Sequence, residues 1–332
     1  MVDFTVAIPT YNGANRLPEV LERLRSQVFP QPIYWEVIVV DNNSNDHTAD
    51  VVSQYQKDFP CPLHYCLETQ QGAAFARKRA IQVALGEIIG FLDDDNIPAL
   101  DWVAQAIAFA EQHPRAGAWG SQIHPDYEVP PPEGFHQLQP YLAIVERGSK
   151  PKLYDPKKLL LPPSAGLVIR RSIWLAAVPS DPILSGRVEG NMLTGEDLEA
   201  IAHIQRAGWE VWYNPAMEMH HKIPARRLEL SYLLPFFRGI GLSRYVTRMV
   251  NVAPWLRPIA TLLYAANDLR KLLLHLLTYR ASAWTDLVPA CQLQLYLGSL
   301  QSPFFLYTAG YLAKKPSASL PVLQAQSLTS QP

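Results

Sequence analysis

The strongest constraint on this chain is a rhythm. Through the first hundred residues, short apolar runs alternate with segments whose apolar residues recur at helical spacing. Thr5 to Ile8 is one such run, ending at Pro9. Leu17, Val20, Leu21 and Leu24 then predict a helix, with Asn15 as its N-cap. Trp35 to Val40 reads as a strand buried on both faces and ending at Asp41, and Asn45 or Asp46 is placed to cap a helix through Val51, Val52, Tyr55 and Phe59. A weaker strand spans Leu63 to Leu67, and Gly72 opens a helix carrying Ala76, Ala80, Val83 and Ala84 on one face. Glu87 to Leu92 is the next strand, ending at Asp93; Val103, Ala106, Ile107 and Ala110 mark one more helix. Apolar strands separated by helices predict an α/β fold, a mostly parallel sheet covered on both faces. Ligands in such sheets bind beyond the carboxyl ends of the strands. Those ends are Pro9-Thr10-Tyr11-Asn12, Asp41-Asn42-Asn43-Ser44 and Asp93-Asp94-Asp95-Asn96.

After Ala116 the rhythm breaks. Residues 124 to 163 are rich in proline and predict a long irregular insertion. Leu167 to Ile169 is a strand; residues 197 to 207 form a helix stopped by Gly208; Trp209 to Tyr213 is a last strand. Beyond His221 the chain turns leucine-rich, basic and helical, and a polar tail after about residue 315 is expected to be loose. The expected organisation is therefore an α/β unit over 1–221 followed by a helical region over 222–332.

Three adjacent carboxylates repel one another, and a divalent cation removes the conflict. The turn PTYNGAN holds a single glycine, so neither a P-loop nor a dinucleotide fingerprint is present to cradle phosphate. Magnesium or manganese at the triplet would neutralise a diphosphate in their place. The plainer reading is that the triplet only caps the following helix. Cys61, Cys66 and Cys291 make neither a disulfide framework nor a zinc site, which fits a reducing, cytoplasmic compartment. The N-terminal segment lacks the basic residues of a signal peptide. With 29 basic against 30 acidic residues, no global field marks a nucleic-acid binder.

Four segments in order, VAIPTYNGANRLPEVLERL, VIVVDNNSNDHT, QGAAFARKRAI and GEIIGFLDDDNIP, resemble the inverting family 2 glycosyltransferases of the GT-A fold. The resemblance continues through GLVIRRSIW, GEDLEAIAHIQRAGWEVWYNP and HHKIPARRLELSYLL, and covers residues 4 to about 245. It looks closest to bacterial exopolysaccharide members, including the group named for hormogonium polysaccharide. It implies that Pro9, Thr10 and Tyr11 lie beside a nucleotide base, uracil in a UDP-sugar, and that Asp41 accepts from that base. Arg77 matches the arginine of the family's GxxxARN-like helix, although Lys78 stands where the pattern has asparagine. Asp93 or Asp94 is expected at the ribose and Asp95 at the metal. The family's late histidine precedes a proline by three residues; His221 fits with Pro224, and His220 is the neighbouring alternative. Family position assigns the general base to Asp197, where a helix start is expected to keep a carboxylate ionised, with Glu196 beside it. The resemblance implies transfer of a sugar to a lipid-linked or polysaccharide acceptor. No Q-x-x-R-W signature follows Asp197, which suggests one sugar per encounter. A nucleotidyltransferase and a catalytically silent membrane scaffold are the other classes such a fold serves.

The balanced charge conceals a division. Residues 1–221 carry a net −10, residues 222–280 a net +8 and the remainder +1. Basic helices bearing Leu233, Leu234, Phe236, Phe237, Trp255 and Leu272 to Leu274 are expected either to pack on the first unit or to lie on an anionic membrane. In the second case Arg238, Arg244, Arg248 and Arg257 would meet lipid headgroups, and the chain would be peripheral on the inner face of the plasma membrane. Residues 287–313 lack charge, but their glutamines and prolines favour a core or interfacial hairpin over a membrane span.

Overall fold

A computed structural model describes residues 2–158, 160–188 and 190–313. The expected loose tail lies outside the described residues. The chain opens with β1 (Phe4–Thr10), α1 (Leu17–Arg25), β2 (Trp35–Asp41), α2 (Thr48–Tyr55), β3 (Leu63–Leu67), α3 (Ala73–Val83) and β4 (Ile88–Phe91). It continues through β5 (Asn96–Pro98), α4 (Trp102–Gln112), β6 (Ala116–Tyr127), β7 (Lys152–Leu153), β8 (Leu167–Arg170), α5 (Arg171–Ala177), α6 (Glu196–Arg206) and β9 (Glu210–Ile223). Then follow α7 (Leu230–Met249), α8 (Arg257–Tyr279), α9 (Ser282–Thr285) and α10 (Leu287–Thr308).

The strands form one sheet in the order β3-β2-β1-β4-β8-β6-β9-β5, with β7 against β9. β1 to β4 run parallel; β8 is antiparallel to both β4 and β6; β6 and β9 are parallel. Alternation along the strands builds two cores. Val6, Ile8, Val37 and Val39 face α1, α2 and α4, whereas Ala7, Ile38 and Val40 face α3, α5 and α6. The register that sets Thr10 opposite Asp41 brings the first two strand ends level.

Several expectations change. Asn15 does not cap α1: the helix begins at Leu17 after Arg16 without a side-chain cap, and Pro18 in its first turn needs no donor there. Residues 116–127, read as the loss of rhythm, form the long strand β6, and the last strand runs through to Ile223. Residues 287–308 form one continuous helix in place of a hairpin.

The helical region packs on the insertion. Leu233, Phe236 and Phe237 of α7 join Phe135, Leu138, Leu142, Ile223 and Leu295 in a third core. Three of the arginines expected at headgroups are turned to other work. Arg248 makes a buried bidentate pair with Asp268, Arg244 donates to Ser299 Oγ, and Arg238 bonds Gln301. For Arg244 and Arg248 close helix–helix packing supplies the reason: a guanidinium between α7, α8 and α10 finds acceptors on its neighbours before it reaches solvent, whereas the Arg238 contact lies at the surface.

Candidate active site

The three acidic residues after β4 have three different environments. Asp94 accepts from Thr10 Oγ1 at 2.6 Å and is held by Arg16 through Nε and Nη2, both at 2.8 Å. This fork fixes the first turn to the third strand end. Gly13 is required beside it, because a Cβ there would lie 2.0 Å from Thr10 Oγ1. Tyr11 remains exposed at the mouth, its carbonyl accepting from Arg16. Pro9 closes β1 opposite Val40. Asp41 is buried, accepting from the Ser44 amide at 2.8 Å and from the Tyr65 hydroxyl at 2.8 Å. That is the cap-like arrangement; Tyr65 adds a second partner that the sequence did not suggest.

Asp95 meets the late strand. β5 pairs antiparallel with β9, setting Asn96 opposite His221 and Ile97 opposite His220. Strand alternation then separates the two histidines. His221 is buried, with Nε2 3.5 Å from Asp95 Oδ1, whereas His220 is exposed and lies against the His124 ring. His221 Nδ1 donates to the Leu142 carbonyl at 2.9 Å, which turns the Nε2 edge of the ring toward Asp95. Arg227 completes the group: one guanidinium nitrogen lies 2.9 Å from Asp95 Oδ2 and the other 2.9 Å from His221 Nε2. Burial pushes the Asp95 carboxyl up, but His221 and Arg227 outweigh it and hold it far below the carboxylate range.

A cation therefore already bridges Asp95 and His221, and the chemistry of these two groups suits magnesium or manganese. Among the described residues no third carboxylate, histidine or cysteine joins them, so a diphosphate and water would complete the shell.

Asp93 faces the other way, 3.8 Å from Arg77 Nη2. Arg77 is buried on α3 and donates to Glu196 Oε1 at 2.8 Å and to Ser164 Oγ at 2.7 Å. It joins the acidic triplet to the start of α6. Asp197 accepts from the Ser164 amide at 2.9 Å and from its neighbour Leu198 at 2.8 Å. Burial, then repulsion from Glu196, raises its pKa above the usual aspartate range despite Arg77 and these amides. The helix start was expected to favour ionisation; desolvation wins. Glu196 Oε2 and Arg77 Nε are buried without partners, and Glu196, Asp197, Arg77 and Lys78 line one cavity with Trp174. Two unmatched polar atoms beside a raised carboxylate make an apt seat for a polar substrate.

Arg16, Ser164 and Arg227 are the site residues that sequence reasoning missed. Arg16 lay within the quoted first motif, and Arg227 followed the His221–Pro224 spacing within a run of basic residues, but neither type of residue stands out from surface arginines in a sequence.

The fold is shared with solved sugar transferases. A mannosyltransferase from Pyrobaculum calidifontis, solved with GDP-Man and Mn2+, superposes with a TM-score of 0.57 at 21% identity, covering 91% of this chain and 87% of that one. GalNAc-T7 with UDP, GalNAc and Mn2+ superposes at 0.52 and 16% identity, over 77% of this chain and 52% of that one. The architecture is thus of the GT-A class. Residues 5–174, just over half of the chain, match glycosyl transferase family 2, and the chain belongs to that family. Among its relatives, the glycosyltransferase AglE of Haloferax volcanii is 34% identical over 104 residues, 31% of this chain and 34% of that protein. The glucosyl-dolichyl phosphate glucuronosyltransferase of the same organism is 23% identical over 224 residues, 67% of this chain and 69% of that protein. The chain thus spans about a third of the length of AglE.

Proposed function

We propose that this protein is an inverting glycosyltransferase that moves one sugar from a nucleotide-sugar, probed first as a UDP-sugar, to a lipid-linked or polysaccharide acceptor. The observation that carries the reading is Arg77, a buried guanidinium shared between Asp93 and the Glu196–Asp197 pair, which couples a donor side to an acceptor side. Pro9, Thr10, Tyr11 and Asp41 border the base, and Asp93 and Asp94 stand at the ribose. Because Thr10 and Arg16 already engage Asp94, Asp93 has the freer carboxylate for a ribose hydroxyl.

Asp197 is the general base. An acceptor hydroxyl gives its proton to the Asp197 carboxylate while its oxygen attacks the anomeric carbon; the sugar–phosphate bond breaks on the opposite face. Both oxygens of Asp197 keep a lone pair after their amide bonds, and the raised pKa makes the carboxylate a better proton acceptor. Magnesium or manganese held by Asp95 and His221 would neutralise the departing diphosphate. Lipid-linked acceptors are supported by the dolichyl phosphate substrate in the name of the glucuronosyltransferase relative. They imply work at a membrane surface, the cytoplasmic face of the plasma membrane. No helix among the described residues is long and apolar enough to cross a membrane.

Asp197→Asn tests the assignment. Donor affinity by calorimetry should stay within about twofold, while transfer falls by roughly 10²–10⁴-fold. Transfer near the unmodified rate would remove Asp197 from the role and direct attention to Glu196. Release of a sugar phosphate from the UDP-sugar in place of UDP, or of pyrophosphate from UTP and a sugar phosphate, would mark a nucleotidyltransferase.

A further inference from the structure

The helix α8 packs Leu272, Leu276 and Tyr279 against α9 and α10, yet it also buries polar groups and leaves a second apolar face outside. Its protein-facing side carries Asp268 and His275, both buried, with Leu272 between them. Asp268 takes the bidentate Arg248 fork at 2.5 and 2.9 Å, and His275 Nε2 donates to the Pro289 carbonyl at 2.9 Å. The opposite side presents Ile259, Leu262, Leu263, Leu273, Leu274 and Leu277, each between 51% and 73% exposed. Their spacing of three and four places them on one stripe along the helix. Large apolar residues scattered singly on a surface need no explanation, but an ordered stripe of six does.

The flanks indicate what covers it. Trp255 precedes the helix and Trp284 follows it, 76% and 63% exposed. Amphipathic aromatic rings at both ends of an apolar stripe suit a bilayer interface. Between residues 251 and 285 there are four basic side chains, Arg257, Arg270, Lys271 and Arg280, and one acidic side chain, Asp268. Asp268 is spent on Arg248, so the exposed charge is cationic. Arg270 is exposed within the stripe, where a long stem can lie along apolar neighbours while its guanidinium reaches a phosphate.

We propose that the outward face of α8 is the surface by which this protein lies on an anionic lipid bilayer, with Ile259, Leu262, Leu263, Leu273, Leu274 and Leu277 entering the acyl boundary and Arg270, Lys271 and Arg280 meeting headgroup phosphates. The inference deepens the membrane placement proposed above. It also moves the contact away from α7, whose Leu233, Phe236 and Phe237 are committed to a core. The buried Arg248–Asp268 pair holds α8 in the orientation that turns the stripe outward.

The test is flotation of the full chain with vesicles of phosphatidylcholine alone or mixed with phosphatidylglycerol, without sugar nucleotide. The unmodified chain should bind the anionic vesicles and lose binding as salt rises, and Leu263→Glu with Leu277→Glu should lower the bound fraction at least ~10-fold. Arg270→Glu with Lys271→Glu, exposed positions that leave the packing untouched, should abolish the preference for anionic vesicles. Circular dichroism melting checks that each variant folds. Equal vesicle binding by both variants, or none by the unmodified chain, overturns the proposal. Loss of a dimer in light scattering with no vesicle binding by the unmodified chain assigns the stripe to a second copy and overturns it as well. Transfer to a water-soluble acceptor is measured in parallel. It should be unaffected by the α8 variants, so failure of the lipid surface and failure of the transfer chemistry give different results.

Discussion

Helices α1 and α8 carry apolar residues at the same kind of spacing and use them in opposite ways. α1 buries Leu17, Val20, Leu21 and Leu24 completely against the sheet. α8 turns Leu262, Leu263, Leu273, Leu274 and Leu277 to the outside and hides an aspartate and a histidine. Hydrophobic periodicity therefore reveals that a stripe exists, but not what covers it. The polar face decides: α1 carries Glu19, Glu22, Arg23 and Arg25 toward solvent or ion-pair partners, whereas the two buried polar residues of α8 are each matched inside the protein.

The largest expected effect is at the hidden polar contact. Arg248→Ala strands a buried Asp268 and should cost about 3–5 kcal/mol in urea unfolding. A loss under 1 kcal/mol would mean that α8 does not depend on this pair for its orientation. Leu21→Ala should cost about 2–5 kcal/mol by the same measurement, as expected for a filled core site.

Glu199 on α6 sharpens the contrast, since it is a buried acid matched by amides alone. Its carboxylate accepts from Ile183 and Leu184, yet burial pushes its pKa up to about 7. The folded chain then holds a proton that the unfolded chain releases near 4.5, so stability should fall as pH rises between these values and level off above. Glu199→Gln should remove up to about 3 kcal/mol of that dependence, seen as melting temperatures that converge between pH 5 and pH 8. An unchanged pH profile would show that Glu199 ionises normally.

Arg227→Gln opens the bridge between Asp95 and His221. It should tighten Mn2+ binding without nucleotide by about 3- to 10-fold, followed by electron paramagnetic resonance, because like charge no longer competes for those ligands. Weaker binding would make Arg227 a support for the ligands in place of a competitor. The smallest effect is expected at the outer stripe, where Leu263→Ala should stay within about 0.5 kcal/mol of the parent. A cost as large as that of Leu21→Ala would end the contrast between the helices.

How far the sequence carried follows from the same physics. β1, β2 and β4 and the helices through α4 were legible because each apolar run is covered on two faces and each helix on one, while β3, at the sheet edge, left a weaker signal. β6 was not, because Gly117, Gly120 and Pro125 resemble turn residues in a one-dimensional pattern. At Gly120 the cause is tertiary: a Cβ would approach Pro162 to 2.5 Å. β5 escaped notice as three residues ending in proline, yet its pairing with β9 is what sets His221 beside Asp95. The carboxylates after β2 and β4 were visible as strand ends, and Glu196 and Asp197 as a helix start. Their partners Arg16, Ser164 and Arg227 were not, since nothing in a sequence distinguishes an arginine folded inward onto a carboxylate from one facing water.

The bond between Arg77 and Glu196 closes a loop of 119 residues. Closing so long a loop carries a large entropic cost before the contact repays it, so this bond is expected late in folding. The two halves of the candidate site accordingly have different birth dates. The strand ends proposed to border a nucleotide are complete early in the chain, while the carboxylate proposed to take the proton is delivered with α6, and a chain interrupted between them would hold the proposed binding face without the proposed base.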